Sequence, residues 1–176
     1  MDAKLYIQRL SVKISPVRKR WIGCFLALAK KDYAILEIGS GVGYESNYIE
    51  QKGFNIIRSD INKVFIEHQK KAFNRNVIKL DILSIPKSSN KKYKIVFADA
   101  VVTMFSPFKL VQALDNIRKL LARDGIFAFN LPLEWGINDI RRYVTSRGFK
   151  IIKYYQDKVW FYLVVKKLSS SNGKAP

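Results

Sequence analysis

Short apolar runs, each followed by a stretch with helical periodicity, are the feature that most constrains the fold of this chain. Several are apolar on both faces, and five are read as strands, at residues 34–38, 54–58, 77–80, 93–98 and 126–131. Strands that are apolar on both faces belong to a parallel sheet with helices on both sides. We therefore predict the α/β class, with the layers of a three-layer sandwich.

Helices are predicted between the strands, at residues 44–52, 63–73, 107–122 and 135–146. Two further strands, at residues 149–154 and 159–165, are separated by a short connection. A connection of this length predicts an antiparallel hairpin. The expected sheet is thus mostly parallel and seven-stranded, with its last strand antiparallel.

The chain has 176 residues, which suits a single domain. Residues 1–33 are predicted to be an N-terminal helical cap segment, residues 34–167 the main domain, and residues 168–176 a flexible tail. The acid-free stretch between Asp2 and Asp32 also resembles a secretory or transit peptide. A cap is favoured because Trp21, Phe25 and Leu28 share one helical face.

Two features of composition limit the surroundings and the partners. A single cysteine, Cys24, allows no internal disulfide, and no apolar run reaches the roughly 18 residues of a membrane span. We expect a cytoplasmic protein with no membrane partner, although the acid-free N-terminus leaves organellar targeting open. The net charge of +18 favours a polyanion such as RNA, or reflects the Lys-rich composition of an AT-rich genome.

The run Leu-Glu-Ile-Gly-Ser-Gly-Val-Gly-Tyr-Glu-Ser, residues 36–46, follows the first predicted strand and carries Gly39, Gly41 and Gly43. Glycines at a strand-to-helix turn let a ligand approach the backbone closely. The dinucleotide pattern Gly-x-Gly-x-x-Gly fails, because Tyr44 stands at its sixth position. A phosphate-binding P-loop is excluded, since no Gly-Lys-Ser/Thr follows.

Acidic residues mark four successive predicted strands at or near their ends: Glu37, Asp60, Asp81 and Asp99. Taken singly, an aspartate here suits a helix N-cap or a turn. Parallel sheets, however, bind ligands at the carboxyl ends of their strands. Together with the glycines, the four acids predict a shared ligand site.

Glu-x-Gly-x-Gly-x-Gly resembles motif I of the class I S-adenosylmethionine-dependent methyltransferases, and the resemblance extends over roughly residues 34–165. It implies a Rossmann-like methyltransferase fold and S-adenosyl-L-methionine as cofactor. It also implies that the methionine moiety lies over the backbone of the glycine loop. The cofactor-binding residues that it implies are Glu37, Gly39, Gly41, Gly43, Asp60, Ile61, Asp81, Ile82 and Asp99.

The resemblance gives each of these residues a role. Asp60 would accept the ribose hydroxyls, and Ile61 would pack on the adenine. Asp81 would accept the adenine amino group, and the Ile82 backbone would hold the ring edge. Asp99 would lie at the mouth, as a general base or as the partner of the methionine amino group.

The implied reaction is methyl transfer to an acceptor that is a small molecule or RNA. Glu134, after the fifth strand, is a second candidate base, and Tyr6 is a candidate lid over the cofactor. We expect no bound metal, because the metal-dependent O-methyltransferases use clustered acids where this chain has only Asn130. The fourth strand is followed by Asp-Ala-Val-Val, residues 99–102, which differs from the Asn/Asp-Pro-Pro-Tyr/Phe motif of the amino-adenine enzymes.

Two alternatives remain open at this point. One is a non-catalytic methyltransferase-like module that binds RNA or a ribosomal partner through its basic surface. The other is a nicotinamide-dependent enzyme, against which the early third glycine argues. The identity of the acceptor and the oligomeric state do not follow from the sequence.

Overall fold

A computed structural model describes residues 3–9, 14–85 and 91–169, which form one seven-stranded sheet in the order β3-β2-β1-β4-β5-β7-β6. The strands are β1 Ala34–Ile38, β2 Asn55–Asp60, β3 Val77–Lys79, β4 Tyr93–Ala98, β5 Leu121–Pro132, β6 Phe149–Gln156 and β7 Trp160–Lys167. Strands β1 to β5 pair in parallel, and β7 is antiparallel to both β5 and β6. The predicted fold class and the antiparallel last strand are confirmed.

Six helices lie in the described part of the chain. They are α1 Ala3–Arg9, α2 Pro16–Leu26, α3 Tyr44–Gln51, α4 Lys63–Phe73, α5 Pro107–Leu120 and α6 Ile137–Ser146, with short 3₁₀ helices at Val102–Met104 and Leu133–Trp135. Ser106 caps α5 through a bond from the Lys109 amide, and Pro107 follows at the first helical position. Asn62 caps α4 in the same manner through the Val64 amide.

Two elements differ in their bounds from the sequence prediction. Strand β5 begins at Leu121 instead of residue 126, because it already pairs with β4 at Leu121. A register shift between this pair and the next one accommodates Asp124, whose φ is 57°. The helix predicted from Trp135 is divided at Gly136, whose φ of 65° ends the 3₁₀ turn before α6 begins. Of these two places, only at Gly136 does a residue with positive φ interrupt a pattern that the sequence presents as continuous.

The two faces of the sheet bury separate apolar clusters. Helix α5 supplies Leu110, Leu114 and Ile117 to one cluster. On the other face, Trp21 and Phe25 of α2 are fully buried and pack on Phe97 of β4. This places α2 in the core, while the division into a cap, a main domain and a tail stays a prediction.

In the part of the chain that the structure describes, no helix combines the length and the apolarity needed to cross a membrane. The side chain of Tyr6 and residues 170–176 of the predicted tail lie outside the described residues.

Candidate cofactor site

The glycine loop joins β1 to α3 at the carboxyl edge of the sheet. Gly39, Gly41 and Gly43 have φ values of 68°, 52° and 83°, which side chains rarely adopt. A Cβ at Gly39 would overlap the Val101 side chain, whereas one at Gly41 would meet no atom within 4 Å. The loop therefore presents open backbone at Gly41, where a ligand has room to lie.

A buried polar network supports this loop from below. Gln69 of α4 donates from Nε2 to Ser40 Oγ at 2.8 Å and to the Gly41 carbonyl at 3.0 Å. Its Oε1 accepts from Arg58 at 3.0 Å, and Arg58 pairs with Glu50 at 2.9 Å. Loop, β2 and α4 are thus joined by side chains that are almost completely buried, apart from Glu50.

Asp60 faces the loop from the end of β2. Its Oδ2 accepts from the Gly41 amide and its Oδ1 from the Asn62 amide, both at 2.8 Å. Each carboxylate oxygen accepts more than one hydrogen bond, so capacity for two ribose hydroxyls remains. Ile61 follows with its side chain 57% exposed, as an apolar surface beside the carboxylate.

Asp81 lies close to Asp60 at the neighbouring strand end, because the Leu80 amide donates to the Asp60 carbonyl at 3.1 Å. The Asp81 carboxylate accepts from the Leu83 amide at 2.8 Å. Ile82 is buried, and its carbonyl accepts from Asn116 of α5 at 2.8 Å. These contacts fix the backbone that would meet an adenine ring.

Glu37 is buried inside β1 and accepts a hydrogen bond from Ser46 of α3. Burial raises the pKa of its carboxyl to about 8, although the Ser46 bond opposes the rise. The neighbouring carboxylates Glu45 and Asp99 raise this pKa further. Without a bound cation, Glu37 is therefore mostly protonated at neutral pH.

Asp99 follows β4 and is held between two partners. Asn130 of β5 donates to its Oδ1 at 2.9 Å, and the Arg18 guanidinium of α2 pairs with its Oδ2 at 3.0 Å. Burial raises the pKa of Asp99 to about 6, with Arg18 acting against the rise. Its carboxyl is thus mostly ionised at pH 7 yet basic enough to accept a proton.

The backbone next to Asp99 is strained. Ala100 has a φ of 56°, a conformation that costs an ordinary L-residue about 1–2 kcal/mol. Its amide donates to Asn130 Oδ1 at 2.7 Å, so Asn130 holds both the strained residue and the Asp99 carboxylate. Strain of this kind is concentrated at functional sites.

Arg18 and Asn130 were not assigned to the site from the sequence. Arg18 also pairs with Glu45 of α3 at 3.2 Å, so one guanidinium joins two carboxylates across the mouth. Arg18 opens the basic triplet Arg18–Arg20, and nothing in the local sequence marks it as a partner of a carboxylate in the cleft. Asn130 is a polar residue in an apolar strand, and this is the available sequence signal of its role.

Glu134 occupies a different position from Asp99. It lies in the 3₁₀ helix beyond the end of β5, and its side chain is exposed. The contacts of Asp99 come from Arg18 and Asn130 instead. The structure therefore brings Glu37, Asp60, Asp81 and Asp99 to one edge and leaves Glu134 at its outer margin.

These residues fit S-adenosylmethionine. Its sulfonium and ammonium groups are cationic, and carboxylates surround the loop. Its methionine part needs close backbone approach, which the open side of Gly41 provides. Its ribose needs a fixed acceptor, and two backbone amides orient Asp60.

A family model described as "Methyltransferase domain" matches residues 36–129, just over half of the chain. Ribosomal protein L11 methyltransferase of Staphylococcus epidermidis is 26% identical over 141 residues, covering 77% of this chain and 44% of that protein. The chain spans about half the length of the curated relatives it matches.

Solved structures share the fold. A TehB-like SAM-dependent methyltransferase from Corynebacterium glutamicum superposes with a TM-score of 0.74 at 17% identity, covering 95% of this chain and 98% of that one. Magnesium protoporphyrin IX methyltransferase from Synechocystis, solved with bound SAM, gives 0.68 at 18% identity over 86% and 76%. With the family match, these findings show that the chain belongs to the class I methyltransferases, the enzymes that use S-adenosylmethionine as their methyl donor.

Proposed function

We propose that this chain transfers the methyl group of S-adenosylmethionine to an acceptor that enters the cleft beside Asp99. The carrying observation is the bond between the Asp60 carboxylate and the Gly41 amide. This bond holds Asp60, the proposed acceptor of the ribose hydroxyls, next to the open backbone at Gly41, where the methionine part would lie. A nucleoside held there is aligned by the protein, while the bound cofactor supplies the leaving group.

The chain's own residues then have separate tasks. Asp60 and Asp81 hold the two ends of the nucleoside, and Ile61 covers the adenine. Glu45 supplies negative charge near the cationic groups, and Glu37 would add to it once a bound cation lowers its pKa. Arg18, which pairs with Asp99 and Glu45, would turn toward the methionine carboxylate when that carboxylate arrives.

Asp99 is the residue we propose as general base. Its raised pKa of about 6 lies near the working range of a catalytic base, and Asn130 fixes its orientation. If it instead holds the methionine amino group, its replacement weakens cofactor binding more than it slows transfer. Comparing KM for the cofactor with kcat in Asp99→Asn separates the two roles.

The acceptor is proposed to be a small molecule or an RNA. A protein acceptor is a third class to test, because the matched curated relatives are named for a ribosomal protein. The exposed Met104, in the short helix after β4, would be among the first residues to meet any acceptor.

The test is incubation with methyl-labelled cofactor and cell extract, followed by separation into RNA, protein and small metabolites. We expect label in one fraction with the wild-type protein and almost none with Asp60→Ala. Asp115→Ala is the matched control, because it removes a half-exposed acid of α5. Binding of S-adenosylhomocysteine without any labelled fraction would instead favour the non-catalytic module.

A further inference from the structure

A groove of about 820 Å³ runs along the free edge of the sheet, away from the glycine loop. Strand β6 forms its floor, and α2 and α6 form its walls. Nothing in the proposed methyl transfer uses this surface.

Four of the described residues that line the groove are cations, and the others are mostly apolar or aromatic. Arg20 comes from α2, Arg141 from α6, and Lys150 and Lys153 from β6, and all four are exposed. Among the described residues that line it there is no aspartate or glutamate. On a chain with a net charge of +18, this arrangement favours a polyanion.

Aromatic rings lie beside two of these cations. The Arg141 guanidinium lies 5.7 Å from the ring centroid of Tyr154, which is 46% exposed. Arg20 lies at the same distance from Tyr155. Cations beside an accessible ring are typical of surfaces that bind unpaired bases by stacking and phosphates by charge.

A peptide strand is a poorer occupant of the same edge. Strand β6 is irregular at Ile152, where the register against β7 shifts, and it carries Lys150 and Lys153. Bulges and lysines on an edge strand disfavour the addition of another strand. A second copy of this chain is also disfavoured, because it would bring an equal positive charge to the groove.

Helix α2 connects the groove with the cofactor cleft. Arg18 pairs with Asp99 in the cleft, whereas Arg20 lines the groove. The Tyr155 hydroxyl donates to the Val17 carbonyl at 3.3 Å and ties β6 to the start of the same helix. The groove and the cofactor cleft therefore share one helix.

We propose that this groove binds single-stranded RNA, with phosphates on Arg20, Arg141, Lys150 and Lys153 and a base stacked near Tyr154. The proposal concerns binding and does not rest on methyl transfer.

The test is fluorescence polarisation with a labelled uridine oligomer of about 12 nucleotides, a length that a groove of this kind accommodates. The test variant is Lys150→Gln with Lys153→Gln. At 0.1 M salt each lost phosphate contact should weaken binding by about fivefold, and the double variant by about 25-fold. The slope of log affinity against log salt should fall by about 1.4.

A matched control removes two exposed lysines at the opposite end of the sheet, in Lys70→Gln with Lys71→Gln of α4. We expect at most a small loss there. Equal losses in the two double variants would overturn the proposal, as would failure of the wild-type protein to bind the oligomer, or tighter binding of an acidic peptide.

A third variant, Tyr154→Leu, keeps the charge and removes the ring. We expect a loss of roughly fivefold or more with a nearly unchanged salt slope. Calorimetry of the lysine double variant with S-adenosylhomocysteine should give wild-type affinity. Failure of the cofactor site and failure of the groove are therefore seen in separate measurements.

Discussion

The cofactor cleft and the β6 groove are opposite in charge although they share helix α2. Among the described residues, five acids surround the cleft, namely Glu37, Glu45, Asp60, Asp81 and Asp99. Four cations and no described acid line the groove. The net charge of the chain does not predict the local charge of either region, because it sums a buried acidic region and an exposed basic one.

The regions also differ in how their charges are held. In the cleft, Asp60 and Asp99 are almost buried and bonded to backbone amides or fixed side chains, so their interactions are weakly screened. In the groove, the lysines are exposed and act through screened attraction. Mutations in the cleft should therefore be costly and specific, whereas those in the groove should depend on salt.

The strongest test of the contrast is Asp60→Ala. Removing the proposed ribose acceptor deletes two hydrogen bonds to a charged group, each worth about 1.5–3 kcal/mol. We expect the affinity for S-adenosylhomocysteine, measured by calorimetry, to fall roughly tenfold or more. RNA binding in the groove should stay at the wild-type level.

Unchanged cofactor affinity in Asp60→Ala would reject the proposed role of this residue. The variant Asp60→Asn keeps an acceptor for the Gly41 or Asn62 amide, so it separates loss of the ribose contacts from collapse of the loop.

The second test compares two glycines of the loop. Gly39→Ala places a methyl group against Val101 and also forces a left-handed φ. The loss of folding stability in Gly39→Ala should combine about 1–2 kcal/mol for the left-handed φ with about 1–3 kcal/mol for overpacking against Val101. Gly41→Ala meets open space and should cost only the first part.

Thermal unfolding of the cofactor-free proteins measures this difference. In Gly41→Ala we expect a smaller loss of stability than in Gly39→Ala, together with weakened cofactor binding, since the methyl group occupies the space for the ligand. Equal stability of the two variants would mean that Val101 yields easily to the added methyl group.

The third test is the pH dependence of transfer. If Asp99 is the base, its ionised form is active, and with a pKa of about 6 the rate should rise about tenfold between pH 5 and pH 7. Arg18 lowers this pKa, so Arg18→Gln should move the rise to higher pH. A rate that is flat over this range would remove Asp99 from the role of base.

The smallest effect at acidic pH is expected for Glu37→Gln. Burial raises the pKa of Glu37 from 4.5 to about 8, so the folded protein holds a proton that the unfolded chain releases. Stability from this group is complete below pH 4.5 and is lost progressively as pH rises from 4.5 to about 8. Gln is neutral throughout, so the variant should resemble the wild type at pH 4 and unfold at a higher temperature at pH 8.

Thermal scans of the cofactor-free proteins at the two pH values check this prediction. A parallel decline of both proteins with pH would show that another group is responsible.

Local patterns made much of the fold predictable. The glycine loop is one contiguous motif, and Asp60 and Asp81 stand at or just after the ends of β2 and β3. Most strands are short apolar runs that can be recognised without knowledge of their partners in the sheet. The roles assigned to these residues stay predictions, but their convergence on one edge follows directly from the parallel strand order.

Contacts between distant residues could not be predicted. The Arg18–Asp99 pair joins α2 to the end of β4, and nothing near Arg18 in the sequence specifies a partner there. The positive φ of Ala100 could not be predicted from the neighbouring residues either. The Ala100 amide donates to the side-chain oxygen of Asn130, which lies on another strand.

The network of Gln69 and Arg58 has a consequence for the kinetics of ligand capture. Because α4 and β2 already fix the loop in its ligand-free form, little conformational entropy remains to be lost when the cofactor arrives. The rate of cofactor binding should then be limited by how quickly the Arg18 guanidinium leaves Glu45 and Asp99. Because salt weakens these two ion pairs, the association rate constant should increase with salt, although the glycine loop itself does not move.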